Sequence, residues 1–378
     1  MQVTISGLHL HYGGFAAIKG LDLTIADGES IVLLGQSGCG KTSTMRCVAG
    51  LEEPTGGHIT IGNDVVFDHH TGRAVPSFRR NVGMVFQSYA VWPHKTVLEN
   101  VIFPLRMKKV RKAAARDKAM EVLALVGLEH LAERGASQLS GGQMQRVALA
   151  RSMAMEPSVL LLDEPLSNLD ARLREDLRVE LRRIQLQRGL TTMYVTHDQQ
   201  EALALADRIA IMQDGRITQL GTPEEVYARP ASASIAKFMG VTNILPVAAL
   251  HDGVVELDGH DVTLATEHAS AAPSTADAVA VRPDDIRVRA ADESGTEGKP
   301  SSGDAGDLAG TVTVAVYQGS SVRYQVAIDD GPMLEAICPV DGGLLPSGAR
   351  ARVHVPGRAV LVLPDEVPEP LVPETVAA

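Results

Sequence analysis

Through roughly the first 240 residues the apolar positions follow two rhythms that imply strands and helices in alternation. Val3–Leu10 and Leu21–Ile25 alternate apolar and polar side chains, the two-residue period of a half-buried strand, and Tyr12-Gly13-Gly14 between them reads as a turn. Ser30–Leu34, Val159–Leu162 and Thr192–Val195 are short apolar runs, the pattern of strands covered on both faces of a parallel sheet. The first leads into glycines, the second ends in Asp163-Glu164-Pro165, and the third ends at His197. Ala119, Val122, Leu123 and Val126 fall at helical spacing, so the pattern predicts an amphipathic helix over 111–126 closed by Gly127. Leu173, Leu177, Leu181 and Ile184 stripe another helix that ends near Gly189. The expected architecture over 1–240 is an open α/β sheet with ligands at its carboxyl edge, carrying a helical subdomain over about 88–155.

Beyond residue 240 the texture changes. Val254–Leu257, Val279–Val281, Thr311–Val316, Val322–Ile328 and Arg352–Val355 are short alternating segments punctuated by Gly, Pro and Asp, which predicts a small β-barrel over 241–363. Residues 291–308 are rich in Gly, Ser, Asp and Glu and read as a mobile loop, and the Pro- and Glu-rich 364–378 as a disordered tail.

Composition narrows the classes of function. A length of 378 residues suggests two domains or three. Aromatics at 3% argue against base-stacking platforms, and a net charge of −11 argues against a duplex-binding surface, so nucleic acid is not an expected partner. Cys39, Cys47 and Cys338 fit neither a disulfide framework nor a metal spacing, which favours a reducing compartment. The N-terminus lacks the basic-then-apolar order of a signal peptide, and no run approaches the ~18 apolar residues that span a bilayer. A membrane role would therefore act through a partner.

Three segments carry chemistry. Gly35-Gln36-Ser37-Gly38-Cys39-Gly40-Lys41-Thr42 fits the phosphate-binding loop and sits where that loop belongs, after a strand and opening a helix. Glycines let successive backbone N–H groups converge on one anion, and the helix N-terminus adds positive potential. Lys41 can reach the β- and γ-phosphates and Thr42 offers a hydroxyl to Mg²⁺. Asp163, at a strand end, can hold the metal's shell, and Glu164 beside it can orient water. Leu139-Ser140-Gly141-Gly142-Gln143 has Ser140 placed to cap a helix, with Gln143 three residues on as in a capping box. Physics alone reads that last segment only as a helix start.

Here a resemblance adds to the reading. Leu139–Gln143, continued by Gln145-Arg146-Val147-Ala148-Leu149-Ala150-Arg151, resembles the signature of ABC transporter ATP-binding cassettes, and the likeness runs in unbroken order over about 1–240. It implies a P-loop NTPase fold with a RecA-like core and a helical subdomain. It also implies that Tyr12 stacks on adenine and that Gly35–Lys41, Thr42 and Ser43 hold the phosphates. Gln87, in Met84-Val85-Phe86-Gln87, is similar to the glutamine that senses Mg²⁺ and water. Ser167-Asn168-Leu169-Asp170 is similar to the segment that crosses a dimer interface, and His197 to the switch histidine on the γ-phosphate. Asp198 and Glu201 mark a helix start just beyond it. Gln36 stands where relatives often have proline, a position that contributes mainly backbone.

The resemblance further implies that part of Ser88–Arg106 docks a permease helix, with Trp92 the expected exposed member. Asn243-Ile244-Leu245 and Val281-Arg282-Pro283-Asp284-Asp285-Ile286 resemble the C-terminal OB-like β-domain of importer cassettes for sugars, polyamines and ferric iron. Tyr89–His94 is worded more like the polyamine and ferric-iron branch.

The implied activity is ATP hydrolysis at two composite sites of a dimer of this chain, or of this chain with a similar cassette. Ser140, Gly142 and Gln143 of one subunit would cover the γ-phosphate held by the other. Mg²⁺ would be held by Thr42, Gln87 and Asp163, and catalysis carried by Glu164, His197, Gln87 and Lys41. The implied partners are integral-membrane permease subunits and, indirectly, an external solute-binding protein; the implied location is the cytoplasmic face of the inner membrane. A soluble ABC ATPase of translation or DNA repair would share these motifs but usually carries tandem cassettes or a long coiled-coil insert. A module using ATP only as a switch would lack Glu164 or His197.

Overall fold

In the computed structural model, residues 1–268, 277–291, 307–340 and 343–367 are described. The chain divides into two units, Met1–Val226 and Tyr227–Ala378.

The first unit opens with a hairpin, β1 (Val3–Tyr12) and β2 (Phe15–Ile25), turned at Gly13–Gly14. The apolar run from Ser30 follows as β3 (Ser30–Gly35), buried at every position, and feeds α1 (Lys41–Ala49) through the glycine loop. Three strands that the apolar pattern left unmarked come next: β4 (Gly56–Ile61), β5 (Asp64–Asp68) and β6 (Arg73–Ala74). With the hairpin they form an antiparallel sheet of order β2-β1-β4-β5-β6. After β7 (Val82–Val85) the helical region holds α2 (Val97–Met107), α3 (Lys112–Leu125) and α4 (Gly141–Met153). The chain then returns to the sheet as β8 (Val159–Asp163), α5 (Ala171–Arg188), β9 (Thr191–Thr196), α6 (Gln199–Leu205), β10 (Arg208–Gln213) and β11 (Arg216–Gly221).

The second sheet has the order β11-β10-β3-β9-β8-β7, parallel except for β11. Its register positions the site. Leu34 of β3 lies opposite Thr196 of β9, Asp163 of β8 opposite Val195, and Val85 of β7 opposite Leu162. The glycine loop, Glu164, His197 and Gln87 therefore all leave the sheet at one carboxyl edge, where a parallel α/β sheet keeps its ligands. Beneath them a single core joins both sheets and α1 through Ile5, Ile59, Leu33, Met45 and Val195.

A short helix, α7 (Pro223–Ala228), crosses the division, and α8 (Ala233–Phe238) lies in the second unit, where Ala236 and Val241 pack with Ala280 and Leu363. The strands that follow are β12 (Asn243–His251), β13 (Val254–Leu257), β14 (Thr263–Ala265), β15 (Ala278–Val281), β16 (Arg287–Ala290), β17 (Asp307–Tyr317), β18 (Ser321–Ile328), β19 (Met333–Pro339), β20 (Arg350–His354) and β21 (Leu361–Leu363). They form two antiparallel five-stranded sheets, β14-β13-β12-β15-β21 and β16-β20-β17-β18-β19, around one apolar core that includes Val255, Val279, Val326 and Val353. This is the barrel-like β-domain that the short alternating segments predict.

Buried Asn243 fastens the two sheets. Its amide donates to the carbonyls of Val281 (3.2 Å) and Glu335 (2.8 Å) and accepts from the Glu335 N–H (2.7 Å). Arg282 lies over the Tyr227 ring, 3.6 Å from its centroid, and donates to the Met239 carbonyl. Most of the loop expected over 291–308 lies outside the described residues, although Asp307 already opens β17. Of the expected tail, the Pro364 and Asp365 carbonyls accept from the N–H groups of Ala233 and Ser234, and 368–378 lie outside the described residues.

Candidate functional site

The glycine loop is shaped by close backbone approaches. A Cβ on Gly35 would stand 2.3 Å from the Met212 carbonyl oxygen and 2.7 Å from Cys39 Sγ. Gly40, at φ 102°, caps α1, and a Cβ there would stand 2.6 Å from the Ala17 carbonyl oxygen. Any larger residue at either position would push the loop off β2 and β10. Lys41 is buried, and its ammonium donates to the Gly35 and Gln36 carbonyls, both at 2.8 Å, with Cys39 Sγ at 3.7 Å. Gln36, Ser37 and Gly38 are exposed along the rim. The first N–H groups of α1 have no acceptor within the helix, so loop and helix start together form an anion cradle.

The acidic edge stands beside this cradle. Thr42 Oγ1 donates to Asp163 Oδ1 at 2.9 Å. Burial pushes the Asp163 carboxyl up, against the Thr42 hydrogen bond and the nearby Arg46 charge that lower it. A dehydrated carboxylate touching a hydroxyl is a hard-oxygen pair suited to Mg²⁺, which completes its shell from phosphates and water. Among the described residues no cluster of three His, Cys, Asp or Glu side chains could hold a metal alone.

Glu164 follows in a left-handed conformation, φ 42°, which a non-glycine residue adopts at a cost of about 1–3 kcal/mol. That turn lifts its carboxylate off the strand. Gln87 Nε2 lies 3.3 Å from Oε2, and His197 Nδ1 lies 3.2 Å from Oε1. The sheet thus brings together three residues spread over 87–197 of the chain.

Ser167–Asp170 closes over this group. Ser167 Oγ donates to the Glu164 carbonyl at 2.9 Å, and Asn168 Nδ2 donates to the Gln87 carbonyl at 2.9 Å. Asp170 caps α5 by accepting from the Leu173 N–H. The end of β9 is pinned from within: buried Glu201 accepts from Tyr194 Oη (2.9 Å) and Thr196 Oγ1 (2.8 Å), and burial pushes its carboxyl up. Glu201 marks a helix start in the sequence, yet its side chain turns inward. An acid one turn into a helix with a tyrosine and a threonine on the preceding strand is the local signal for that.

Tyr12, at the end of β1, is 47% exposed and lies near the Ser43 and Glu52 side chains. Burial, then Glu52, raises its pKa, while the Ser43 contact lowers it. The expected adenine-side aromatic and the second hydroxyl of the loop are thus neighbours.

The Ser140 segment forms the capping box that its spacing predicts. The Ser140 N–H donates to Gln143 Oε1 (3.0 Å) and the Gln143 N–H to Ser140 Oγ (3.4 Å). Gly142 is buried against α5: a Cβ there would meet Leu173 side-chain carbons at 2.7–3.1 Å.

The aromatic stretch is packed differently from the expectation. Trp92 is half-buried rather than the exposed member. Its ring packs 4.5 Å from Phe103, and the Arg151 guanidinium covers it at 4.9 Å. Phe103, at 37%, is the more exposed, and Tyr89 is buried. Arg151 also donates to the Ala90 (2.6 Å) and Tyr89 (3.1 Å) carbonyls, holding two consecutive left-handed residues, φ 61° and 49°.

Comparison with known proteins joins these observations. Residues 18–167 match the ABC transporter family and 279–363 the TOBE domain. The Fe(3+) ions import ATP-binding protein FbpC of Rhizobium etli is 45% identical over 350 residues, covering 91% of this chain and 93% of its own. The chain belongs to the ATP-binding subunits of ABC transporters. The spermidine/putrescine import ATP-binding protein PotA of Ruegeria pomeroyi is 41% identical, covering 92% of each. Among solved structures, cbiO1 of Clostridium perfringens, part of an ABC transporter complex, matches at TM-score 0.55 and 30% identity over 60% of this chain and 90% of its own. A dimeric ATP-binding cassette in a post-hydrolysis state with ADP and Pi matches at 0.51 and 31%, over 58% and 98%. The first unit is accordingly the ABC cassette of a P-loop ATPase, and the second carries the TOBE domain. The TOBE match covers both the Arg282 turn and Glu335, which Asn243 engages. No helix among the described residues is long and apolar enough to cross a membrane.

Proposed function

We propose that the chain is the subunit that drives solute uptake by hydrolysing ATP at two composite sites of a dimer, docked on permease subunits at the cytoplasmic face of the inner membrane and served by an external solute-binding protein. The observation that carries this reading is the convergence of Gln87 and His197 on the two oxygens of Glu164, beside a complete phosphate cradle. Gly35–Thr42 and Ser43 receive the triphosphate, Lys41 exchanges its carbonyl partners for phosphate oxygens, and Tyr12 meets the base. Thr42, Asp163 and Gln87 would hold Mg²⁺. Bound there, the ion would neutralise phosphate charge.

Glu164 accepts the proton of the attacking water, and Gln87 and His197 fix its carboxylate. His197 also faces the γ-phosphate. Ser140, Gly142 and Gln143 of the second subunit cover that phosphate from across the interface. Catalysis is positioning and charge stabilisation. Phe103 and Trp92 belong to the surface that receives the permease. The named relatives serve Fe(3+) and spermidine/putrescine uptake, and we assign this chain to a transporter of that group.

Glu164→Gln tests the assignment. The variant should bind ATP as the parent does and lose about 10²–10⁴-fold in kcat, the usual worth of a positioned base. Phosphate release at the parental rate would remove Glu164 from the mechanism.

A further inference from the structure

We infer that Arg174 is a positioning residue that ties the Ser167–Asp170 segment to the loop bearing His197 and so sets the histidine's place against Glu164. The inference rests on the site reading above. Arg174 lies in the first turn of α5. Its guanidinium donates from Nη2 to the Leu169 carbonyl at 3.0 Å and from Nη1 to Asp198 Oδ2 at 3.4 Å, an ion pair in which both side chains are largely covered. Leu169 lies inside the segment that hydrogen-bonds to Gln87 and Glu164 through Asn168 and Ser167. Asp198 is the residue after His197.

The other contacts of Asp198 make the tie consequential. Its N–H donates to Thr196 Oγ1 (2.9 Å), and its Oδ1 accepts the Glu201 N–H (3.1 Å) as the cap of α6. Thr196 is held in turn by buried Glu201. The backbone on each side of His197 is therefore fixed, on one side by Glu201 and on the other by Asp198. Arg174 is the link from that second anchor to the segment over Glu164. His197 itself is 60% exposed at its side chain, with Glu164 Oε1 3.2 Å from its Nδ1. An exposed imidazole is placed mainly by its backbone, so slack at Asp198 becomes displacement at Nδ1. Arginine suits the position because its planar fork can serve a carbonyl and a carboxylate at once, whereas a lysine presents one point charge.

The test is a double-mutant cycle in the full chain, reading steady-state ATPase and ATP binding. Arg174→Ala should lower kcat by roughly tenfold or more, with the KM for ATP within about twofold, since a small displacement of a catalytic group is costly while the phosphate cradle is untouched. Arg174→Lys should recover part of the loss. Combined with His197→Ala, Arg174→Ala should add little further loss, because both changes remove the same placement. Additive losses, or a rise in KM equal to the fall in kcat, would overturn the inference and leave Arg174 a structural residue. If Glu164→Gln and His197→Ala themselves leave kcat unchanged, it is the site reading that fails. If those two lose activity and Arg174→Ala keeps the parental kcat, only the inference on Arg174 fails.

Discussion

Two glycine-bearing helix starts in the first unit have opposite constructions. At Gly35–Thr42 the glycines are demanded by backbone: Gly35 and Gly40 lie where a Cβ would stand 2.3 Å and 2.6 Å from carbonyl oxygens of neighbouring strands. The loop is closed on itself, and its cation is buried against its own carbonyls. At Ser140–Gln143 the demand comes from side chains. Gly142 makes room for Leu173 and Gly141 for Leu169, both from the segment that runs into α5. The exposed end presents Ser140, and the segment Ser140–Gln143 itself carries no Lys or Arg. The first start is a complete cradle for an anion. The second is a lid edge held at a set distance from α5, and on the proposed mechanism it acts on a phosphate that another subunit holds.

The contrast can be broken from either side. Lys41→Ala removes the cradle's buried charge, where charge-assisted bonds are worth about 1.5–3 kcal/mol each, so ATP affinity by calorimetry should fall roughly tenfold or more. Unchanged affinity would mean that the loop does not grip the triphosphate through this residue. Gly142→Ala should act on stability. Overpacking against Leu173 costs about 1–3 kcal/mol and the alanine returns about 1 kcal/mol of helix propensity in α4, so Tm in thermal unfolding should fall only modestly, while ATP affinity of the single chain stays at the parental value. A loss of single-chain affinity would place the Ser140 segment inside its own subunit's site.

The smallest effect sharpens the cradle side. Burial raises the Asp163 pKa, so its ionisation costs the folded chain stability above that value, and the cost is absent once the group is protonated. Asp163→Asn should therefore raise Tm without nucleotide near neutral pH. The gain should vanish as pH falls below about 4, the free carboxylate's own range. An equal gain at low pH would show that charge is not its cause.

What could be read in the sequence tracks where each demand originates. The glycine loop, the strand ends at Asp163 and His197, and the Ser140–Gln143 box are local patterns, and each was legible because neighbours within a few residues determine it. Parallel strands also made the shared carboxyl edge legible without distances. The burial of Trp92 was not, because its cover is Arg151, from a helix about sixty residues on. Nor was the role of Arg174. It stands in a helix with Arg172, Arg178, Arg182 and Arg183, and only the fold singles out the one that meets Leu169 and Asp198. The packing demand at Gly142 was hidden in the same way, since Leu173 reads as a stripe position of its own helix. The strands β4–β6 lacked a clear alternation because Gly56 and Gly57 begin them and polar residues turn between them.

On the proposed mechanism the two half-sites belong to different subunits, and trapping ATP tests that division. Glu164→Gln leaves the cradle, Thr42 and Asp163 intact while removing the base, so ATP should persist and hold two chains together through each other's Ser140–Gln143 segments. Size-exclusion chromatography with light scattering should show a dimer of the full-length variant with Mg²⁺ and ATP and a monomer with ADP. Adding Ser140→Arg, which puts bulk and charge at the lid edge, should abolish the dimer while ATP binding persists. A variant that binds ATP, fails to hydrolyse it and stays monomeric at saturating nucleotide would contradict a composite site in the isolated subunit.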